Sequence, residues 1–440
     1  MNSLAQIILK PKIFDVIGIG FGPSNVALAI ALEEHDIPQS ALFLEKSRDF
    51  AWHPGMLLPD ATMQVSFLKD LANPRNPRSR FTFVNYLHQK SRLMDFVNLK
   101  TFFPSRTEFH DYFSWCAEAF RDRVLYGQMV TRIEVVGSCE IGGPLYRVTA
   151  LEDGVVHQYL ARTIAHSCGL EPVLPHGIET SDRVFHNHYL LSRLEKAQVA
   201  KGSHIVVAGG GQSAAEICEY LLGLDPSLSV TAVVSRFGYV PADDSPFVNQ
   251  IFDPEHVDSF FNATDDGRRR ILDQHAATNY AVADLDVIER LYWTWYQDKV
   301  TERRRFRLQR CSRLLSADKH ESGVSLRLKD LSRDEDLAIE ADYLVCATGF
   351  RPRSPLALMA PDLAGRILTD DIGMPRLGRD HRLKTDDPGV PPLFCIGTGE
   401  ASHGLSATLI SNMAIRAGEL ADTITAHAMQ TVKGMTDAHG

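Results

Sequence analysis

Short apolar runs that end in glycine punctuate the chain, and stretches with helical spacing follow them. Near the start, Phe14-Asp15-Val16-Ile17 reads as a buried strand that runs directly into the turn GFGPSN. Apolar residues then recur with helical spacing from about Pro23 to Glu34, and a second apolar run, ALFLEK, ends at Glu45 and Lys46. Short apolar runs bounded by turn residues mark buried strands, whereas i, i+3, i+4 spacing marks a helix. The same strand, turn, helix, strand order returns in HIVVAGGGQSAAEICEYLL and SVTAVVSRFG, with a strand expected over Ile205–Ala208. Two later apolar runs, YLVCATGFRP and PLFCIGTGEASHGLS, also end in glycine turns, and a helix is expected from about Ala407. Strands alternating with helices predict an α/β fold with parallel sheets. The pattern here is two Rossmann-like dinucleotide-binding domains and an additional, mostly helical region.

The glycines give each turn a chemical meaning. Gly18 is expected to make the tight turn and Gly20 to let the backbone approach a pyrophosphate, while Gly22, Pro23 and Ser24 open the helix. A proline stands at the sixth position, where a glycine is usual. Proline suits the first helical turn, whose N–H has no intrahelical partner in any case. Glu45 lies roughly 20 residues further on, where an acid binds a ribose diol. In the second turn, Gly209, Gly211, Gln212, Ser213 and Ala214 occupy the equivalent positions, and the next strand leads to Arg236 instead of an acid. A cation there suits a 2′-phosphate and favours NADPH over NADH. Two such turns in one chain point to a flavin and a nicotinamide exchanging hydride. Ala347-Thr348-Gly349 reads as the return crossing between two nucleotide domains, so the flavin domain is expected to be split, over residues 1–195 and 340–440. The nicotinamide domain then covers 196–339, and its aromatic- and amide-rich stretch 240–300 contributes a substrate-binding region.

Composition narrows the function. A chain of 440 residues implies two or three domains, and 44% hydrophobic with 23% charged residues is ordinary globular usage. The net charge of -9 argues against a nucleic-acid partner. No apolar run is long enough for a bilayer, and MNSLAQIILKPK lacks the features of a secretory signal. The 7 cysteines include no CxxC pair and no zinc spacing. Reduced core thiols in a cytoplasmic protein without a metal site are expected, and a disulfide reductase is disfavoured.

Taken together, GFGPSN, WHPGMLLPDATMQVSFLKDL, NPRSRFTFVNYL, GGGQSAAE, DDSPFVNQIF, TNY, CATGF and HGLSATLIS resemble the microbial amine N-hydroxylating monooxygenases of siderophore biosynthesis, most of all the L-ornithine branch. The resemblance spans roughly residues 12–420. It implies that the first turn binds FAD and the second NADPH. It also implies that O2 forms a flavin C(4a)-hydroperoxide and that the substrate's terminal amine takes its distal oxygen. No side chain need be catalytic in its own right. By the same resemblance, Trp52 and His53 flank the flavin, Gln64 sits beside its ring, and Val130 touches its adenine end. Thr408, Leu409 and Ile410 form a flavin-contacting helix start, and Tyr280 and Ala281 lie on the NADP side. Lys69, Asn249, Phe252, Asn279 and Ser411 hold the substrate, with Asn279 also touching NADP. Taken on its own, Lys69 could instead pair with Asp70 or another acid. The sequence departs from the pattern at Ser167-Cys168-Gly169, where another Ala-Thr-Gly is expected. Lysine, diamines and other amino acids stay open as substrates. Lys69, Asn249 and Asn279 favour an α-amino acid, but one methylene is worth only ~1–3 kcal/mol of discrimination. The resemblance also implies a homo-oligomer, a tetramer by family habit.

Overall fold

The structure, a computed structural model, describes residues 12–137, 143–275 and 281–437, with 430–437 described by backbone alone. Asn279, Tyr280 and Cys139 therefore lie outside the described residues.

The first sheet is built on β1 (Ile13–Ile19), which pairs in parallel with β2 (Ala41–Glu45), itself parallel to β3 (Val124–Tyr126). On its other side β1 pairs in parallel with the second half of β6 (Val155–His166). The first half of β6 belongs to an antiparallel meander with β5 (Leu145–Glu152) and β4 (Met129–Val136). A late strand, β17 (Leu393–Cys395), adds in parallel to the end of β6. Val16, Ile17 and Ile19 are all buried, as an unbroken apolar run in a strand covered on both faces requires. The helix Pro23–Glu33 is buried along nearly its whole length because the final helix, Met413–Asp437, packs on its outer side.

In the second sheet, five parallel strands run in the order β11 (Phe306–Gln309), β10 (Ser229–Val233), β9 (His204–Ala208), β15 (Tyr343–Cys346) and β8 (Val184–His186). The helices Gln212–Leu224 and Leu285–Val300 cover one face. A three-stranded antiparallel sheet, β12 (Ser312–Lys319), β13 (Val324–Asp330) and β14 (Glu335–Ala341), covers the other.

This arrangement corrects the expected boundaries at 195 and 340, because β8 precedes the first and β15 follows the second. The polar stretch EKAQVAKGS is a surface connection inside the second unit, and polar composition marks exposure as readily as a domain edge. The chain crosses instead through β7 (Leu170–Pro172) and β16 (Phe350–Pro352), an antiparallel pair. Gly169 (φ +67) and Gly349 (φ +86) flank these strands in the left-handed conformation that glycine accommodates.

Stretch 240–300 is helical where described, with helices at Pro246–Asn249, Pro254–Phe261 and Asp265–Gln274 before the long Leu285–Val300. None of the described helices is long and apolar enough to cross a membrane, and no group of three or more metal-ligating side chains occurs among the described residues. Cys116, Cys218, Cys346 and Cys395 are buried core thiols. Burial pushes Cys218, Cys346 and Cys395 up to about 12.

Candidate active site between two nucleotide turns

In the first turn, the glycines divide their work differently from the sequence expectation. Gly18 is still in β1, and a Cβ there would stand 2.3 Å from the Phe43 ring, so glycine is required for packing. The left-handed turn falls at Gly20 (φ +81), where a Cβ would lie 2.5 Å from the Ser167 carbonyl oxygen. The close approach expected of a pyrophosphate is therefore made at Gly20 by the chain itself. The buried Asn25 side chain pins this turn by donating to the Gly20 carbonyl at 2.6 Å. Gly22 is different: a Cβ there would meet no protein atom within 4 Å. It caps the Pro23–Glu33 helix without a side-chain hydrogen bond. The turn after β17 joins the same place, with Gly397 beside the Ser24 hydroxyl.

A helix N-terminus carries N–H groups with no intrahelical partner and a partial positive charge. Here no side chain caps them, and Gly22 leaves the approach open. That geometry fits a bound pyrophosphate, so the first turn fits FAD. Glu45 is already engaged: its carboxylate accepts the Phe21 N–H and the Ser47 N–H, both at 2.8 Å. Glu45 thus buttresses the turn, with lone pairs left for a diol, while Lys46 is exposed. Val130 is half-buried in β4. Trp52 packs edge-on against Phe113 at 5.0 Å. His53 adopts a left-handed conformation (φ 46) and is held neutral, first by burial and then by His188 and Arg106, which together pull its pKa down to about 4.

The second turn has the same build. At Gly209 (φ +150) a Cβ would fall 2.3 Å from the Ala347 carbonyl oxygen of the returning chain. Gly211 caps the Gln212–Leu224 helix without a side-chain bond. Ser213 is half-buried and Ala214 buried in its first turn. Ala281 (φ +54) lies against Gly211, and the exposed Arg236 donates to the Ala281 carbonyl at 3.2 Å. Gly211, Arg236 and Ala281, separated in sequence, therefore converge at one helix end, and the open amides there fit a second dinucleotide.

A polar chain that the sequence reading missed joins the second turn to the segments that carry Met56, Gln64 and Arg106. Arg106 grips Glu216 through two hydrogen bonds, at 2.9 and 2.8 Å, and also donates to the Met56 carbonyl. Glu216 accepts from the Gln212 amide, which also donates to Asp284 and accepts the Asp284 backbone N–H. Asp284 accepts in turn from the Gln64 amide at 3.0 Å. Ser105 caps its helix by accepting the Glu108 N–H, a contact within one turn, whereas the partner of Arg106 lies more than a hundred residues away.

At the proposed substrate end, Lys69 forms no ion pair among the described residues. Pairing with Asp70 is ruled out because Asp70 turns inward and accepts the backbone N–H groups of Ala72, Asn73 and Phe83. Asn249 is exposed at the end of its short helix, and Phe252 is buried. The Gln250–Phe252 turn packs on the Leu405–Thr408 turn, which draws the helical region to the last glycine turn. Among the described residues, no hydrogen bond joins Lys69, Asn249 and Ser411.

The expected helix from Ala407 begins instead at Met413. Two short 3-10 turns, Leu405–Thr408 and Ile410–Asn412, precede it, with Leu409 extended between them. Thr408, Leu409 and Ile410 thus lie in an irregular loop, and Ser411 is buried beside it. The cause is Arg416, buried in the last helix. Its guanidinium donates to the carbonyls of Ser406, Ala407 and Leu409, groups that a continuous helix would have used internally.

Comparison with known proteins agrees with this geometry. The family model for L-lysine 6-monooxygenase/L-ornithine 5-monooxygenase matches residues 12–352. An L-ornithine N(5)-monooxygenase of Pseudomonas aeruginosa is 38% identical over 433 residues, covering 96% of each chain. The ornithine N-hydroxylase of Kutzneria sp. 744, solved with reduced FAD, NADP+ and L-ornithine, superposes with a TM-score of 0.91 at 38% identity, over 95% of this chain and 100% of its own. The L-lysine 6-monooxygenase of Pseudomonas syringae aligns with a TM-score of 0.81 at 31% identity, over 94% of this chain and 99% of its own. With two uncapped glycine turns and this similarity along its length, the chain belongs to the L-lysine 6-monooxygenase/L-ornithine 5-monooxygenase family of FAD- and NADPH-dependent enzymes.

Proposed function

We infer that the chain hydroxylates the side-chain amine of L-ornithine, consuming NADPH and O2 and releasing N(5)-hydroxy-L-ornithine, NADP+ and water. The observation that carries the choice of ornithine is the graded similarity: 38% identity and a TM-score of 0.91 to an ornithine enzyme, against 31% and 0.81 to a lysine enzyme.

In this reading, Gly18, Gly20, Gly22, Pro23 and Ser24 form the FAD turn. Glu45, Lys46, Trp52, His53, Gln64, Val130, Thr408, Leu409 and Ile410 complete its surroundings. Gly209, Gly211, Gln212, Ser213, Ala214, Arg236 and Ala281 hold NADPH. FAD, once reduced by NADPH, supplies the activation of O2. The protein supplies placement and dryness. A side-chain amine with a pKa of ~10.4 in water must lose its proton to expose a lone pair, and burial favours the neutral form. Lys69, free of any carboxylate among the described residues, provides the charge for the α-carboxylate. Asn249 offers both a donor and an acceptor to the amino-acid end. Phe252 and Ser411 close the pocket near the last glycine turn. The reading extends to a cytoplasmic homotetramer that makes a hydroxylamine for a siderophore or a related product.

The test is hydroxylamine formation by FAD-loaded protein with NADPH and, in parallel, ornithine, lysine, putrescine, cadaverine and aspartate. Product from ornithine alone supports the reading. A preferred diamine would overturn the substrate assignment and leave Lys69 and Asn249 without their role, and a preference for lysine or aspartate would overturn the substrate assignment.

A further inference from the structure

Asp284 occupies an unusual position. It stands at the end of a segment that leans on the second nucleotide turn, with Ala281 against Gly211, and Ala283 tied by backbone hydrogen bonds to Val240 and Ala242. It caps the Leu285–Val300 helix. Its carboxylate does not bond that helix. One oxygen accepts from Gln212 at 3.1 Å and the other from Gln64 at 3.0 Å, while its own N–H donates to Gln212 at 2.7 Å. Gln212 is the first residue of the nicotinamide helix, and Gln64 belongs to the flavin side. Asp284 is therefore a second polar junction between the two units, beside the Arg106–Glu216 pair. Because it accepts from the Gln64 nitrogen, it also fixes which end of that carboxamide faces away.

We propose that Asp284 is a positioning residue that couples the two nucleotide sites, so that NADP(H) bound at the Gln212 turn sets the orientation of the Gln64 amide. The proposal rests on the cofactor assignments above. Coupling is reciprocal: if the nicotinamide turn orients Gln64, then Gln64 must alter NADP+ affinity without touching that cofactor. A hydrogen bond to a charged group, when lost, weakens binding by about tenfold. Residues acting through one junction also lose additivity once the junction is removed.

The experiment is a titration of FAD-loaded protein with NADP+, reading the change in the flavin absorption spectrum and the dissociation constant. The proteins are wild type, Gln64→Ala, Asp284→Ala, the Gln64→Ala/Asp284→Ala pair and the near-isosteric Asp284→Asn. Asp284→Ala and Asp284→Asn are expected to weaken NADP+ about tenfold and to alter the flavin spectral change. Gln64→Ala is expected to weaken NADP+ several-fold alone and not at all in the Asp284→Ala background. A further variant, Asp284→Glu, is expected to keep part of the affinity that Asp284→Ala loses. If Gln64→Ala leaves NADP+ affinity within twofold of wild type, or if the two effects simply add, the coupling role is wrong. Should Asp284→Ala fail to retain FAD, the Asp284→Asn and Gln64→Ala proteins decide the question by the same readouts. A wild-type protein that binds no NADP+ would instead sink the cofactor assignment on which the proposal stands.

Discussion

Replacing Arg106 by alanine tests how firmly the two nucleotide units are fastened. Arg106 and Glu216 are 13% and 5% exposed and meet through a two-pronged contact across the boundary between the units. Removing the guanidinium leaves Glu216 buried with only the Gln212 amide as a partner, and it takes the Arg106 donor from the Met56 carbonyl. Breaking one side of a buried pair costs about 3–5 kcal/mol, because the remaining charge keeps its desolvation penalty. Replacing both sides, Arg106→Met with Glu216→Leu, removes that penalty and should cost far less. Unfolding entropy of about 2.1 cal/mol/K per residue makes 4 kcal/mol equivalent to a shift of about 4 °C for a chain of 440 residues melting as one unit. The assay is thermal unfolding followed both by circular dichroism and by release of FAD fluorescence. Arg106→Ala should lower the midpoint by that amount in both signals. The double variant should recover most of the loss. A single-variant shift under about 1 °C, or a double variant as unstable as the single, would refute the argument that an unpaired buried charge is the cause.

Gly20→Ala should unfold the first turn, since its Cβ would collide with the Ser167 carbonyl, and the protein should purify with little FAD. Gly22→Ala, which meets no protein atom, should keep its melting temperature without FAD yet bind FAD at least tenfold more weakly; equal affinity would mean that the cradle lies elsewhere. Lys69→Ala should raise KM for L-ornithine about tenfold or more, measured by hydroxylamine formation, and an unchanged KM would remove Lys69 from the amino-acid end. Acid should destabilise the fold through buried histidines: burial holds His166 and His403 neutral, each down to about 4. Between that value and ~6.5 the unfolded chain binds more protons than the folded one, so stability is present above ~6.5 and is lost as pH falls through about 4. Each group contributes on the order of 3 kcal/mol, and a urea midpoint that stays flat from about pH 7 to about pH 4.5 would contradict it.

Both nucleotide units were legible in the sequence because strand, glycine turn and helix are local and repeat their period. β1, β2, β9 and β10 fall where the apolar runs placed them. What escaped was non-local. The boundaries slipped because β8 and β15 are short apolar strands whose sheet is decided by a neighbour far away in sequence. The helix expected at Ala407 fails because Arg416, downstream, captures carbonyls that helical periodicity assigns to the helix. The turn falls at Gly20 and not at Gly18 for a similar reason: the Phe43 ring and the Ser167 carbonyl decide which glycine packs and which turns. Asp284 drew no reading from the sequence, because its contact with Gln64 spans 220 residues. Lys69 was singled out for the substrate's carboxylate with pairing to Asp70 left open, and the inward turn of Asp70 that decides against that pair is set by three backbone N–H groups that no spacing rule reveals.

The insertion of one unit within the other also dictates an order of assembly during synthesis. The second sheet is complete once Cys346 has left the ribosome. The first sheet must wait for β17, and the helix Pro23–Glu33 must wait for the final helix that covers it. Val26, Ile30 and their neighbours therefore spend the translation of nearly the whole chain with an uncovered apolar side, the condition in which a nascent chain recruits chaperones or aggregates. The same connectivity sets the weak direction under load. Tension on the C-terminus of the folded protein would peel away the last helix and β17 first, opening the proposed FAD turn while the second sheet stayed closed.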